Sequence, residues 1–72
     1  MPQVFSPQKL RQVRERAGVT RTHVAFAVGR TEQSIYTWES GRSKPMPHIL
    51  ERLVRYLGCD VSDLFEEADD VS

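Results

Sequence analysis

Three residues, Gly29-Arg30-Thr31, separate two short stretches of helical periodicity, and this narrow joint restricts the fold more than any other feature of the 72-residue chain. Val24, Ala25 and Val28 form the apolar stripe before the joint, and Ile35 and Trp38 form the stripe after it. Apolar residues three and four apart lie on one side of a helix. Gly29 suits a tight turn that needs positive φ. Ala25 falls where the two helices must approach closely, and a larger side chain there would push them apart. Thr31 is placed to cap the second helix, and Glu32 is favourable in its first turn. With Ile35 and Trp38 turned inward, Glu32, Gln33, Tyr36 and Thr37 remain outside as a protruding face.

The same punctuation runs along the rest of the chain. Ser6 caps a first helix, Pro7 suits its first position, and Phe5 and Leu10 fit a hydrophobic staple. Leu10, Val13, Arg14 and Ala17 share one face, and Gly18 ends the helix. Thr20 caps the second helix and Gly41 stops the third. Pro47 opens a fourth, with Ile49, Leu50, Leu53, Val54 and Leu57 at helical spacing, and Gly58 closes it. Asp60 caps a last turn or two, with Asp63 three residues on and Val61, Leu64 and Phe65 as apolar residues. Met1 to Val4 reads as a frayed end. No alternating strand pattern, internal repeat or low-complexity tract is visible. The expectation is an all-α, compact five-helix bundle over residues 1–65, followed by an acidic, loose tail over 66–72.

A chain this short buries only about 60% of its unfolded surface. Its one cysteine, Cys59, excludes an internal disulfide, and His23 and His48 have no partners at metal-ligand spacing. The core must therefore hold the fold alone or with a partner. No cofactor, metal or small-molecule substrate is expected. No nucleophile–base pair or carboxylate pair falls at persuasive spacing, so no enzymatic activity is expected either. The longest apolar run, Val24 to Val28, falls far short of the roughly 20 residues of a membrane helix. A soluble, intracellular protein is the expectation.

Net charge is zero, but its distribution is uneven. Residues 1–45 carry eight Lys or Arg against three acids, and residues 46–72 carry two against seven, giving +5 and −5. Either one basic surface awaits an anion, or the asymmetry is solvated charge without a role.

The stretch GVTRTHVAFAVGRTEQSIYTWESGRSKP, residues 18–45, resembles the Cro/repressor-type (Xre-like) helix-turn-helix regulators of phages and bacteria. The continuation ILERLVRYLGCDVSDLF is similar to the last two helices of that fold. The small residue, the turn glycine, the aliphatic residue and the Trp-Glu-x-Gly ending all fall at family spacing. The resemblance implies sequence-specific binding of double-stranded DNA through the major groove, in a transcriptional regulator, most simply a repressor. In it, Thr31 caps the recognition helix, and Glu32, Gln33 and Thr37 meet base edges with Tyr36 beside them. Arg21 and Thr31 contact phosphate, and Arg42, Ser43 and Lys44 form the loop that grips the backbone. Arg14 and Glu39 pair between the first and third helices. A palindromic operator, a weak homodimer formed mainly on DNA through Leu64 and Phe65, and a location in the cytoplasm of a bacterial or phage-infected cell also follow from the resemblance.

Three residues depart from the family. Arg21 stands where glutamine is usual. Phe26 lies where relatives carry an exposed polar residue; it is either without consequence or, with His23, Ala27 and Arg30, a contact for another protein. Glu32 is acidic where many relatives have an amide, and either accepts from a cytosine amino group or only favours the helix dipole. The alternative function is an antitoxin-like or other protein-binding module. Cys59 is expected as a buried thiol and His48 as an exposed residue.

Overall fold

The computed structural model describes residues 2–68. Its elements, in chain order, are β1 (Gln3–Phe5), α1 (Pro7–Ala17), α2 (Arg21–Val28), α3 (Glu32–Ser40), α4 (Pro47–Leu57), a 3-10 turn (Val61–Leu64) and β2 (Phe65–Glu67). The helix limits follow from the caps. The side chains of Ser6, Thr20 and Thr31 accept from the backbone N–H groups of Lys9, His23 and Ser34, three residues on in each case. Each satisfies a donor that the helix cannot satisfy itself. Met46 precedes α4 without a side-chain cap, and Pro47 removes one of the orphan donors instead.

Gly29 takes φ 72°, and the following Arg30 N–H reaches back to the Ala25 carbonyl at 2.9 Å. A Cβ on Gly29 would stand 3.6 Å from Arg52 Nη1, in ordinary contact. Backbone conformation, rather than space, is what calls for glycine at the joint. α2 and α3 then cross and close on a core of Leu10, Val24, Ala25, Val28, Ile35, Trp38, Ile49, Leu53 and Leu64. α4 packs against α2, and α1 against α3. Phe5, Val13, Leu50, Val54, Leu57 and Cys59 are half-buried around that core.

Among the described residues four α-helices form, not five. Val61–Leu64 makes a single 3-10 turn, with the Asp60 N–H donating to Asp63 Oδ2 at 2.9 Å. A longer helix is prevented because the Leu64 carbonyl accepts from Ser6 N at 2.8 Å and Phe65 turns to an extended φ of −120°. The chain then pairs back with its own start. β1 and β2 run antiparallel, with Gln3 opposite Glu67, Val4 opposite Glu66 and Phe5 opposite Phe65. The two phenyl rings meet edge to face at 6.2 Å, a favoured aromatic geometry. Lys9 Nζ donates to the Phe65 carbonyl at 2.6 Å and fastens β2 to α1.

This sheet corrects three expectations. Residues 3 and 4 are paired rather than frayed. Glu66 and Glu67 belong to a strand, so order continues past residue 65; residues 69–72 of the expected tail lie outside the described residues. Leu64, expected at a dimer contact, is fully buried within its own chain, and Phe65 packs on Phe5. The apolar end of the chain closes the monomer's core. Ala17, at the end of the α1 stripe, is exposed, and Val61 is 43% exposed.

Leu64 can be tested in the monomer. Leu64→Ala should destabilise it by about 2–5 kcal/mol, a large share of what so small a domain possesses. Thermal melting at a concentration low enough to exclude association checks this. A melting point equal to that of the wild type would place Leu64 outside the core.

Candidate functional site

α3 is anchored by its inner residues, Ile35 and Trp38, which are 0% and 6% exposed. That anchoring determines what its outer face presents. Thr31, Glu32, Gln33 and Tyr36 are exposed at and after its amino-terminal end, and Thr37 is half-buried beneath them. The helix starts cleanly because the Thr31 hydroxyl accepts from Ser34 N at 3.2 Å.

The loop after α3 is tied to the same face. The Thr37 carbonyl accepts from Arg42 N at 3.0 Å and from Ser43 N at 3.4 Å. The Ser43 hydroxyl donates to Thr37 Oγ1 at 3.1 Å, and Thr37 Oγ1 donates to the Ser34 carbonyl at 2.8 Å. Thr37 therefore joins the loop to the helix as well as standing near its outer face. Arg42 and Lys44 project into solvent from a loop whose backbone is held in this way. The buried Pro45 completes it, a core contribution that periodicity did not reveal.

Glu39, one turn beyond Tyr36, organises the other flank. Its carboxylate is 2% exposed and receives two guanidinium groups. Arg14 donates from Nε to Oε2 at 2.6 Å and from Nη2 to Oε1 at 3.3 Å, and its Nη1 donates to the Val19 carbonyl at 2.9 Å. Arg21 donates from Nε to Oε1 at 3.0 Å, and its guanidinium carbon lies 5.4 Å from the centre of the Tyr36 ring. The pair expected between Arg14 and Glu39 is thus present within a larger cluster. Arg21, expected only as a phosphate contact, is also a partner of two α3 side chains. The spacing of Tyr36 and Glu39 carries the signal for this, since residues three apart share a helix face and one arginine can reach both.

A second link between the two helices was also not foreseen. The Thr22 hydroxyl donates to the Glu32 carboxylate, holding that side chain toward α2. Elsewhere, Phe26 is 90% exposed on the outer side of α2. A shallow groove lined by Lys9, Gln12, Val13, Arg16, Leu57 and Cys59 shares no residue with α3. Burial pushes the Cys59 thiol up from its ordinary pKa, and Asp63 and Asp60 add to the shift. The thiol therefore stays protonated at neutral pH and is a poor nucleophile. Among the described residues no group of three or more His, Cys, Asp or Glu side chains gathers into a metal site, and no helix is long and apolar enough to cross a membrane.

Residues 8–67 match the family model described as a helix-turn-helix domain. The chain belongs to that family. Among solved structures, the clp gene regulator ClgR of Corynebacterium glutamicum superposes with a TM-score of 0.76 at 28% identity, covering 81% of this chain and 62% of that one. The P22 c2 repressor, in complex with a synthetic operator, superposes at 0.77 with 21% identity, covering 85% and 92%. These two regulators bear out the resemblance to the phage-repressor type. Hydroxypropylphosphonic acid epoxidase from S. wedmorenis contains the same fold, with a TM-score of 0.81 at 22% identity, covering 96% of this chain but 39% of the enzyme. A search of curated proteins found no match to the sequence.

The Glu39 cluster makes a definite stability forecast. Removing Glu39 leaves the Arg14 guanidinium, 11% exposed, without a carboxylate, and removing Arg14 leaves the buried Glu39 with only the more exposed Arg21, each a loss of up to about 3–5 kcal/mol. Arg21→Ala should cost less, because its side chain is 35% exposed and Arg14 keeps Glu39 paired. Thermal melts of Arg14→Ala, Glu39→Ala and the double variant should show strong non-additivity. Additive effects would mean that the two side chains do not share one interaction.

Proposed function

We propose that this chain is a transcriptional regulator that binds double-stranded DNA in a sequence-specific manner, inserting the amino-terminal end of α3 into the major groove. One observation carries the reading. The exposed residues of α3, Glu32, Gln33 and Tyr36, have Arg21 held beside Tyr36, and the loop that carries the exposed cations Arg42 and Lys44 is tied to Thr37 of the same helix. A groove-reading helix accompanied by phosphate-binding cations has this layout. Membership of the helix-turn-helix family and the likeness to a clp gene regulator and to a repressor on its operator support it. The net charge of +5 over residues 1–45 suits a polyanion.

Each group has a chemical task. Gln33 donates and accepts in one plane, which matches the adenine edge. Glu32, held by Thr22, presents an acceptor that suits a cytosine amino group. Tyr36 and Thr37 stand beside these, while Arg21, Thr31, Arg42, Ser43 and Lys44 take phosphates. Repression, by occupying a site in a promoter, is the simplest regulatory outcome. One short helix makes few base contacts, so specificity favours two copies on a palindromic operator. Their contact lies on a surface other than the buried Leu64. The chain acts as a binding protein and not as an enzyme, in the bacterial or phage-infected cytoplasm. The epoxidase bears on the fold alone.

Phe26 favours a second reading, a module whose main partner is another protein. Salt separates the two. DNA affinity should fall steeply as salt rises, with a log–log slope of about −0.9 per phosphate neutralised.

Selection from a random duplex pool tests the proposal directly. Gln33→Ala should cost about 1–3 kcal/mol on the best site and relax one position of it. Lys44→Ala should weaken binding to all sequences alike and flatten the salt slope by about one unit. An unchanged preference in Gln33→Ala would remove α3 from the reading role. Failure of the wild type to enrich any sequence would favour the protein-binding module.

A further inference from the structure

Arg21 touches two side chains of α3 that stand one turn apart. Its Nε is bound to a Glu39 oxygen at 3.0 Å, and its guanidinium lies 5.4 Å from the Tyr36 ring centre. The Glu39 carboxylate is itself immobilised, since it is 2% exposed and Arg14 holds its other oxygen at 2.6 Å. A guanidinium is planar, so binding its Nε to a fixed acceptor restricts the whole group. The order of support therefore runs from the core outward, through Arg14, Glu39 and Arg21 to Tyr36. Tyr36 is 44% exposed on the outer face of α3. A helical tyrosine in such a place has more than one open rotamer, and the arginine stacked on it favours one.

We propose that Arg21 is a positioning residue for base recognition, acting through Tyr36, in addition to its place as a phosphate contact. This rests on the DNA-binding reading of α3. Its consequence is specific: removing the guanidinium should change which base pair is preferred beside Tyr36, and not merely lower affinity for every sequence. Lysine cannot replace it. An ammonium on a flexible stem keeps the charge but lacks the planar group that engages the carboxylate and the ring together.

The experiment is selection from a random duplex pool, with affinities on the selected site and its single-base variants, for wild type, Arg21→Lys, Tyr36→Ala and the double variant. Thermal melting of each variant establishes that it is folded. Arg21→Lys should keep the salt slope of the wild type but lose roughly two- to five-fold of its preference at one base-pair position, the scale of an exposed cation–π contact. Tyr36→Ala should flatten the same position, and the double variant should lose no more there than Tyr36→Ala alone. In the free protein, Arg21→Lys should also shift the Tyr36 ring proton resonances. An unchanged preference profile in Arg21→Lys, or flattening at a position that Tyr36→Ala leaves intact, would overturn the inference while leaving DNA binding standing. Absence of DNA binding by the wild type would overturn the functional reading and this inference with it.

Discussion

Glu39 holds two arginines on one carboxylate, and the placement of α3 depends on that arrangement. Arg14 comes from α1 and Arg21 from the first position of α2, so the buried acid joins three helices at one point. Two guanidinium groups on a single carboxylate leave an excess positive charge. That excess lies on Arg21, the more exposed of the two, at 35% against 11% for Arg14. Burial of charge is costly unless hydrogen bonds compensate it. Arg14 meets this condition with bonds to both Glu39 oxygens and to the Val19 carbonyl. The same cluster thus locks the helix pair and leaves a cation at the edge of the outer face of α3.

A chain of this size has no disulfide to help it, and it closes its ends in another way. β1 and β2 pair the two ends of the described chain, and the Ser6 N–H to Leu64 carbonyl bond seals the seam beside them. Leu64 then fills the core between α1 and α4. The loop after α3 gains from this closure, because Arg42, Ser43 and Lys44 line a groove with Val4, Phe5 and Pro7. Terminal pairing and the Arg42–Lys44 loop are therefore neighbours, which ties stability at the chain ends to the geometry of that loop.

What was legible in the sequence is what local chemistry governs. Ser6, Thr20 and Thr31 announced helix starts, Gly29 announced the joint, and the stripes of Val24, Val28, Ile35, Trp38, Ile49 and Leu53 announced the core. These depend on neighbours within one or two turns. The sheet was not legible, because strands of three residues such as Gln3–Phe5 are too short to show alternation, and their pairing spans nearly the whole chain. Leu64 and Phe65 looked like a surface pair because nothing local says that residues 3–5 return to cover them. At the site, the Arg14–Glu39 pair came from the family resemblance. The bonds of Arg21 to Glu39 and of Thr22 to Glu32 depend on the crossing of α2 over α3, which residue spacing alone does not specify.

The central claim is that the outer face of α3, flanked by Arg21 and the Arg42–Lys44 loop, is where DNA binds. Titrating isotope-labelled protein with a selected duplex and following backbone amide resonances tests it most directly. The account predicts that the largest shifts fall on residues 31–37, 21 and 42–44, with Lys9, Arg16 and Cys59 in the separate groove unaffected. Shifts centred on His23, Phe26 and Arg30, or no shifts with any duplex, would contradict it.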